Sequence, residues 1–361
     1  MIEIRCSNLA RPMTCAGSLF FEDLPEEEEN PAAKEGTAAG ELLQLMLEKK
    51  PIGGHASNGV NFDHDMHFYI PLVSQEIMEN AQSEILCETR IDWQTRSGIV
   101  IRGQYDVSYI DNKGRLCIDD LKYGWGIVEA EGNWQLLGYA IGEVIRRQMC
   151  LDVVLRIRQP RPHHEAGSVR EWHLTYAELL EQKEKIESRM DQIANGLKTL
   201  VTSPSCKYCR AAVACPALSK AFYRGVEVAH EFTQDNIDEK ELSFQLDLAS
   251  RVSDIIKIKY DSLKSLAVDR MKKGKIIPGY VSESSYGDRK WKTGISPEVI
   301  KALTGKDVVK QEMLSPAQAE KVGVPKDFVN SLVDRPFLGQ RLKKKDTTKL
   351  GNDIFGNNNP K

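Results

Sequence analysis

The sequence has no stretch of about 18 consecutive apolar residues, the length that a membrane-spanning helix needs. Its first residues, Met1 to Arg5, lack the basic start and apolar run of a signal peptide, so we expect a cytoplasmic protein. It also has no excess of one charge, since 49 basic and 52 acidic residues give a formal net charge of −3. A uniformly basic surface is therefore excluded, whereas a local basic groove is not.

Disulfide bonds are not expected in a reducing cytoplasm, although the chain has eight cysteines. Isolated cysteines are expected to pack as small apolar side chains; these are Cys6, Cys87, Cys117 and Cys150. Three others, Cys206, Cys209 and Cys215, lie within ten residues, and this spacing indicates ligation of a soft metal. Either tetrahedral zinc or a cubane iron–sulfur cluster needs a fourth ligand from elsewhere in the chain.

Hydrophobic periodicity predicts a domain in which helices and strands alternate. The predicted helices are Gly36–Lys50, Asp63–Ala81 with a break near Pro71, Trp134–Arg147 and Thr175–Leu200. The predicted strands are Glu84–Trp93, Gly98–Arg102, Tyr105–Ile110, Arg115–Leu121 and Leu151–Gln159. This order is typical of an α/β or α+β domain with a mixed central sheet flanked by helices.

The sequence changes character beyond residue 222, where a helical extension is expected. Apolar residues from Leu242 to Ala267 are spaced three or four apart and predict a long amphipathic helix within 223–275. Residues 276–361 are expected to form a small accessory region. Its predicted parts are a hairpin over Gly279–Trp291, helices at Ser296–Leu303 and Ser315–Val322, and a mobile basic and Asn-rich tail from Gly339.

An acid-x-lysine pattern stands at the end of one predicted strand, and another acid stands near the start of the strand before it. Asp120 and Lys122 lie on one face of their strand because side chains alternate, and a hairpin would bring Asp106 beside Asp120. Carboxylates hold Mg²⁺ or Mn²⁺, and such a metal activates water for phosphodiester hydrolysis. The pattern is common by chance, so by itself it does not establish a nuclease.

Two further motifs give the pattern its specificity. Gly103-x-x-Asp106, Asp120-x-Lys122 and Gln135-x-x-x-Tyr139 succeed one another as in RecB-like nucleases of the PD-(D/E)XK superfamily, which residues 1–222 resemble. The residues around these motifs are similar to those of phage-encoded members. The resemblance implies a restriction-endonuclease-like core and a metal-dependent DNA exonuclease. It implies that Asp106, Asp120 and the Leu121 carbonyl bind Mg²⁺ or Mn²⁺, that Lys122 serves the attacking water, and that Gln135 and Tyr139 position the lysine and the DNA backbone.

The cysteine pattern is similar to that of nucleases linked to CRISPR adaptation and of the AddB type. In these proteins one cysteine ahead of the nuclease motifs and three behind them bind a 4Fe–4S cluster. The resemblance implies such a cluster, with a structural role, on Cys15, Cys206, Cys209 and Cys215. Zinc and unliganded thiols are the alternatives, and Cys6 is a rival to Cys15.

One position departs from the family pattern. The first helix of the family carries a metal-binding histidine where this chain has Gly40. Glu41 is a candidate to replace it, and further candidates are Glu35, His55, His64 and His67. The departure leaves two interpretations: an active nuclease with a rearranged metal site, or a catalytically inactive DNA-binding or scaffold protein on the same fold.

Basic and aromatic residues outside the motifs suggest contacts with DNA. Arg156, Arg158 and Arg161 lie close to the expected cleft, and Trp291 sits among basic residues that suit stacking on bases. The expected partners are double-stranded DNA ends or single-stranded DNA, with a recombination or single-strand-binding protein as a further partner. The resemblance to phage-type members implies a role in recombination or replication.

Overall fold

The computed structural model describes residues 2–21, 31–162, 164, 166–231, 239–286, 290–291, 295–306, 316, 319, 324–334 and 337–344. The chain forms two compact units, Met1–Ser262 and Leu263–Lys361. None of the described helices is both long enough and apolar enough to cross a membrane.

The first unit alternates helices with the strands of one sheet. Its strands are β1 (Glu3–Arg5), β2 (Leu86–Gln94), β3 (Val100–Ile110), β4 (Leu116–Leu121), β5 (Val153–Arg158) and β6 (Val169–Leu174). Its helices are α1 (Ala10–Thr14), α2 (Pro31–Leu47), α3 (His64–Asn80), α4 (Trp134–Arg147), α5 (Tyr176–Ala194) and α6 (Pro216–Glu231). The boundary between the units lies within α7 (Glu239–Lys272).

The sheet is mixed and is organised around the long strand β3. Strand β2 runs antiparallel along β3, while β1 pairs parallel with the start of β3 and β4 pairs antiparallel with its end. Beyond β4, β5 is parallel and β6 antiparallel. Helices α4 and α5 cover one face and α2 and α3 the other, each over its own apolar core. The predicted mixed sheet flanked by helices is therefore confirmed.

Helix α4 packs unusually close to the sheet because small residues line its inner side. A Cβ atom on Gly142 would lie 2.7 Å from Cδ1 of Ile91, and one on Gly138 would lie 2.8 Å from Sγ of Cys6. Both distances are shorter than side chains tolerate, so these positions need glycine. This close approach brings the N-terminal turn of α4 to the end of β4.

Several predicted boundaries were wrong in the first unit. Helix α3 continues through Pro71, since the buried side chains of Met66, Ile70 and Ile77 hold both halves against the core. The two strands predicted on either side of Gly103 are one strand, β3. Strands β1 and β6 were not predicted; β1 has only three residues, too few for an alternating pattern.

The second unit contains two small antiparallel pairs. Strand β7 (Tyr280–Tyr286) pairs with β10 (Phe337–Lys344), and β8 (Lys290–Trp291) pairs with β9 (Val333–Asp334). The predicted hairpin over Gly279–Trp291 is therefore wrong, because β7 and β8 pair with strands far along the chain. Short helices α8 (Pro297–Thr304) and α9 (Lys326–Leu332) lie between them in sequence.

The predictions for the C-terminal segments have different outcomes. The tail predicted from Gly339 as mobile is wrong up to Lys344, since these residues belong to β10. Residues 345–361 and most of the helix predicted at Ser315–Val322 lie outside the described residues. The predicted division at residue 222 falls within α6, and the divisions at 1–222, 223–275 and 276–361 stay predictions.

Candidate active site

Two carboxylates meet where β3 and β4 separate. The pairing of Val107 with Asp119 places Asp106 opposite Asp120, one residue further along the ladder. The backbone N–H of Leu121 donates a hydrogen bond of 2.6 Å to Oδ2 of Asp106, and the Asp120 side chain is only 2% exposed. The hairpin expected from the sequence thus brings both acids to one point of the sheet.

Strand β3 changes face at Asp106. Tyr105 belongs to the core under α4, whereas Val107 belongs to the core under α2 and α3. Regular alternation would put both side chains on one face. Across β2, Glu88 lies opposite Asp106 and adopts a left-handed backbone conformation, with φ of 46°. The irregularity turns Asp106 towards the end of β4, which sequence alternation alone does not predict.

The two acids repel each other. Burial and then the charge of Asp120 raise the pKa of Asp106 well above its ordinary value, although the Lys122 charge and the Leu121 N–H lower it. A divalent cation between the carboxylates would relieve this repulsion, so the pair fits Mg²⁺ or Mn²⁺. Within the described part of the chain, no three His, Cys, Asp or Glu side chains converge to hold a metal by themselves. Carbonyl and water ligands would complete the shell, as is usual for Mg²⁺.

Lys122 is held as an ammonium ion beside these acids. Its Nζ lies 2.7 Å from Oδ2 of Asp120 and donates to Oε1 of Gln135 at 3.3 Å. Burial alone would lower the pKa of Lys122, but the charges of Asp120 and Asp106 outweigh burial and raise it. A general base needs a depressed pKa. The geometry therefore favours a lysine that donates hydrogen bonds over one that accepts a proton.

Gln135 connects the members of the site. It lies in the first turn of α4, which begins after the N-cap Asn133. Its Nε2 donates to Oδ1 of Asp120 and to the hydroxyl of Tyr139, both at 2.9 Å. The structure thus brings together Asp106, Asp120, Lys122, Gln135 and Tyr139, the five residues predicted as catalytic.

Gly103 has a steric reason for its place in the first motif. A Cβ atom there would lie 2.5 Å from Cε1 of Tyr139 and 2.9 Å from Sγ of Cys6. The buried Tyr139 ring therefore rests on the bare backbone of β3. The spacing between Gly103 and Asp106 sets where this ring sits relative to the carboxylates.

We expect Gly103→Ala to lower the free energy of unfolding by about 1–3 kcal/mol, the usual cost of overpacking a core. Gly36→Ala in α2 should act in the opposite direction, since the space around Gly36 is open and alanine favours a helix. Thermal denaturation of both variants checks this expectation. Wild-type stability in Gly103→Ala would contradict the packing described for Tyr139.

An open cleft of about 690 Å³ lies in front of the carboxylates. Its lining includes the end of β4, Gln135, Gly40 and Glu41 of α2, and Glu88. Glu41, the candidate metal ligand, accepts hydrogen bonds from the N–H of Ser57 at 2.9 Å and from its hydroxyl at 2.6 Å. Its carboxylate is thus committed to the loop after α2.

The other candidates for the missing ligand lie elsewhere. Glu35 forms an ion pair with Arg161 at 3.2 Å. Among the described residues that line the cleft, none is a histidine. Sequence reasoning missed Glu88, because its place in the cleft depends on the left-handed backbone of β2 and no spacing rule encodes that.

The arginines predicted to contact DNA have different positions. Arg156 and Arg158 are buried on the opposite side of the sheet from Asp120, where both pair with Asp119. Arg156 also contacts Glu171, and Arg158 contacts Glu76. The expectation that these two reach DNA is wrong for this structure, because their guanidinium groups neutralise buried acids.

Arg161 and Trp291 remain as predicted DNA contacts. Arg161 stacks on Tyr123 and Trp125, with its guanidinium carbon 4.5 Å and 4.8 Å from the ring centroids. Trp125 lies three residues after Lys122 in sequence and is 65% exposed. Trp291 lies in β8 of the second unit.

The four cysteines predicted to form a metal site line one small cavity. Cys15, Cys206, Cys209 and Cys215 all contribute to its wall. Backbone N–H groups of Val201 and Ser203 point at the sulfurs of Cys15 and Cys206, at 3.5 Å and 3.3 Å. The Lys259 ammonium of α7 donates hydrogen bonds to the Val213 carbonyl and the Ser219 hydroxyl. Burial lowers the pKa of Lys259, and the charge of Cys215 opposes this effect only in part.

The remaining cysteines lie apart from this cavity. Cys6 is buried against Gly103 and Gly138, and burial raises its pKa to about 12. It therefore packs under α4 and does not compete with Cys15. Burial also raises the pKa of Cys87 to about 12 and that of Cys117 to about 11. Cys150 is exposed, so the expectation that it packs in the core is wrong.

Comparisons with known proteins identify a family. A family model described as "Protein of unknown function (DUF2800)" matches residues 4–345. The crystal structure of SSO0001 is similar with 14% identity and a TM-score of 0.33, over 60% of this chain and 86% of that one. The crystal structure of a "Putative exonuclease" from Eubacterium rectale is similar with 12% identity and a TM-score of 0.34, over 54% and 82% of the two chains. Both structural likenesses are too remote to carry an argument about function, whereas the family match spans nearly the whole sequence, and the chain belongs to the DUF2800 family.

Proposed function

We propose that the protein is a divalent-metal-dependent nuclease that hydrolyses phosphodiester bonds of DNA. The observation that carries the proposal is the close set of Asp106, Asp120 and Lys122 at the end of β4, tied together by Gln135. Two adjacent acids and a protonated lysine facing an open cleft suit a phosphate and the cation that accompanies it. The order of the sequence motifs, which resembles RecB-like nucleases, supports the same chemistry.

Each side chain has a part in this proposal. When bound, Mg²⁺ or Mn²⁺ supplies a water of lowered pKa and stabilises negative charge on the phosphate. Asp106, Asp120 and the Leu121 carbonyl would hold it. Lys122 donates a hydrogen bond to the attacking water or to a phosphate oxygen. Gln135 bonds to both the Lys122 ammonium and the Asp120 carboxylate and so holds them in position relative to each other.

We propose an exonuclease that acts on DNA ends during recombination or replication, as the resemblance to phage-type members suggests. Trp125, on which Arg161 stacks, offers an exposed ring shortly after Lys122 in sequence, and such a ring suits stacking on bases. A partner protein that delivers DNA, such as a single-strand-binding protein, fits the same role.

The test is degradation of end-labelled linear DNA, single- and double-stranded, with Mn²⁺ or Mg²⁺ and with EDTA. We expect metal-dependent loss of label, its absence in Asp120→Asn, and resistance of closed circular DNA. Asp92→Asn is the control, because Asp92 is an exposed acid of β2 that does not line the cleft. Equal degradation by the native protein and Asp120→Asn, or none by the native protein with either metal, would reject the nuclease.

We further propose that Cys15, Cys206, Cys209 and Cys215 hold a structural 4Fe–4S cluster. The chemistry of the donor set fits, since four thiols line one small cavity and backbone N–H groups point at two of the sulfurs. Binding would draw the sulfurs together, because no three of them converge in the described structure. The buried ammonium of Lys259 beside Cys215 would offset the negative charge of thiolates. Zinc is the alternative for the same four ligands.

A further inference from the structure

Glu88 faces the same cleft as the two aspartates, from the opposite strand. Its Oε2 accepts a hydrogen bond of 2.6 Å from Nε2 of Gln104, which fixes the direction of the carboxylate. Its Oε1 lies 3.9 Å from the position that a Cβ atom of Gly40 would occupy. The carboxylate therefore lies within ordinary contact distance of this position on α2.

The sheet places Glu88 beside the aspartates. Glu88 lies opposite Asp106 across the β2–β3 pair, and Asp106 lies opposite Asp120 across the β3–β4 pair. All three acids line the same cleft, together with Lys122.

A second observation points to a bound cation. The Asp120 side chain is only 2% exposed, yet its Oδ2 accepts no hydrogen bond of ordinary geometry within the described structure. Its contact is the ion pair with Lys122. Buried acceptors are rarely left in this state without a functional reason. A carboxylate in this state, in the wall of a cleft that Asp106 and Glu88 also line, suits a metal ligand.

The backbone at Glu88 carries a cost that this role explains. A left-handed conformation at a residue other than glycine is unfavourable and persists at sites where a side chain has to be held in one direction. Glu88 has φ of 46° at the one point of β2 that faces Asp106. The strain directs its carboxylate to the cleft.

We propose that Glu88 is the third carboxylate of the metal centre, binding the divalent ion directly or through one of its waters. This inference rests on the proposed metal-dependent function and adds a residue from β2 to the ligands on β3 and β4.

The test is Mn²⁺ affinity without DNA, measured by calorimetry and by the decrease of the free-ion electron paramagnetic resonance signal. We expect Glu88→Gln to weaken Mn²⁺ binding about 10-fold or more, a typical cost of losing one supporting group at a metal. Asp92→Asn should bind as the wild type does. Glu88→Asn serves as a second variant, because asparagine accepts a left-handed backbone.

The outcomes separate this inference from the function on which it rests. Wild-type affinity in both Glu88 variants, with affinity lost in Asp120→Asn, would overturn the role of Glu88 and leave the metal centre intact. No Mn²⁺ binding by the native protein would overturn both. Weaker binding in both Glu88 variants, with unchanged thermal unfolding of the metal-free proteins, would support the third carboxylate.

Discussion

Asp106→Asn should abolish most of the proposed hydrolysis and at the same time stabilise the metal-free protein. Loss of a group that holds a catalytic metal removes several kcal/mol of transition-state stabilisation, which corresponds to a rate loss on the order of 10³-fold. The asparagine side chain still accepts the hydrogen bond from Leu121, so the contact between β3 and the end of β4 should remain. What disappears is the charge that repels Asp120.

The gain in stability should depend on pH in a defined direction. Because the pKa of Asp106 is raised in the folded state, the folded protein binds a proton more tightly than the unfolded chain does. This contribution to stability is complete below the ordinary aspartate pKa and is lost as the pH rises through the folded pKa. The advantage of Asp106→Asn over the wild type should therefore grow with pH and be largest when Asp106 is ionised.

Thermal unfolding with and without Mn²⁺ measures this effect. Each 1 kcal/mol gained in the metal-free state raises the melting temperature by about 2–4 °C for a unit of this size. Added Mn²⁺ should stabilise the wild type and not the variant, because only the wild type keeps both carboxylates. A metal-free Asp106→Asn protein that melts below the wild type at about pH 8, where aspartate is ordinarily ionised, would contradict the repulsion between the two acids.

Cys206→Ser should release the proposed cluster and loosen the closure of the first unit. The segment around Cys15 is fastened to the end of the domain by a hydrogen bond from Gly17 N–H to the Thr199 carbonyl and by Arg189, which donates to the Pro12 carbonyl. A cluster on the four cysteines would join this segment to the start of α6 as well. The free energy of cluster binding would then contribute to the free energy of folding of the first unit.

We expect the native protein to be brown and to hold about four iron atoms. Cys206→Ser should lose iron and melt on the order of 10 °C lower, which corresponds to several kcal/mol. Cys150→Ser is the matched control, since Cys150 is exposed and lies outside the cavity. A colourless native protein that contains zinc would reject iron while keeping the ligand set, and iron content equal in both variants would reject the ligand set.

The sequence predicted the parts of the fold that depend on local patterns. Helix α4 was predicted with its correct bounds, because its apolar periodicity and its N-cap Asn133 are local features. The meeting of Asp106 and Asp120 could be inferred from two strands joined by a tight turn. The order of the motifs added Gln135 and Tyr139 to the same site.

Features that depend on tertiary contacts escaped sequence reasoning. Arg156 and Arg158 looked like surface charges, but Asp119, on the opposite side of β4 from Asp120, draws them into the interior. Glu88 was missed because its orientation depends on a positive φ angle that the sequence does not reveal. The pairing of β7 with β10 joins residues more than fifty positions apart, beyond the range of any turn signal.

The distribution of charge around β4 has a consequence for the order of binding. The back of the strand commits two arginines to Asp119, while the cleft in front is lined by five acids and two lysines. Such a cleft attracts divalent cations and repels a polyanion. If the protein has the proposed function, we therefore expect DNA to form a productive complex only after the cation has bound, so that the metal controls substrate binding as well as the reaction.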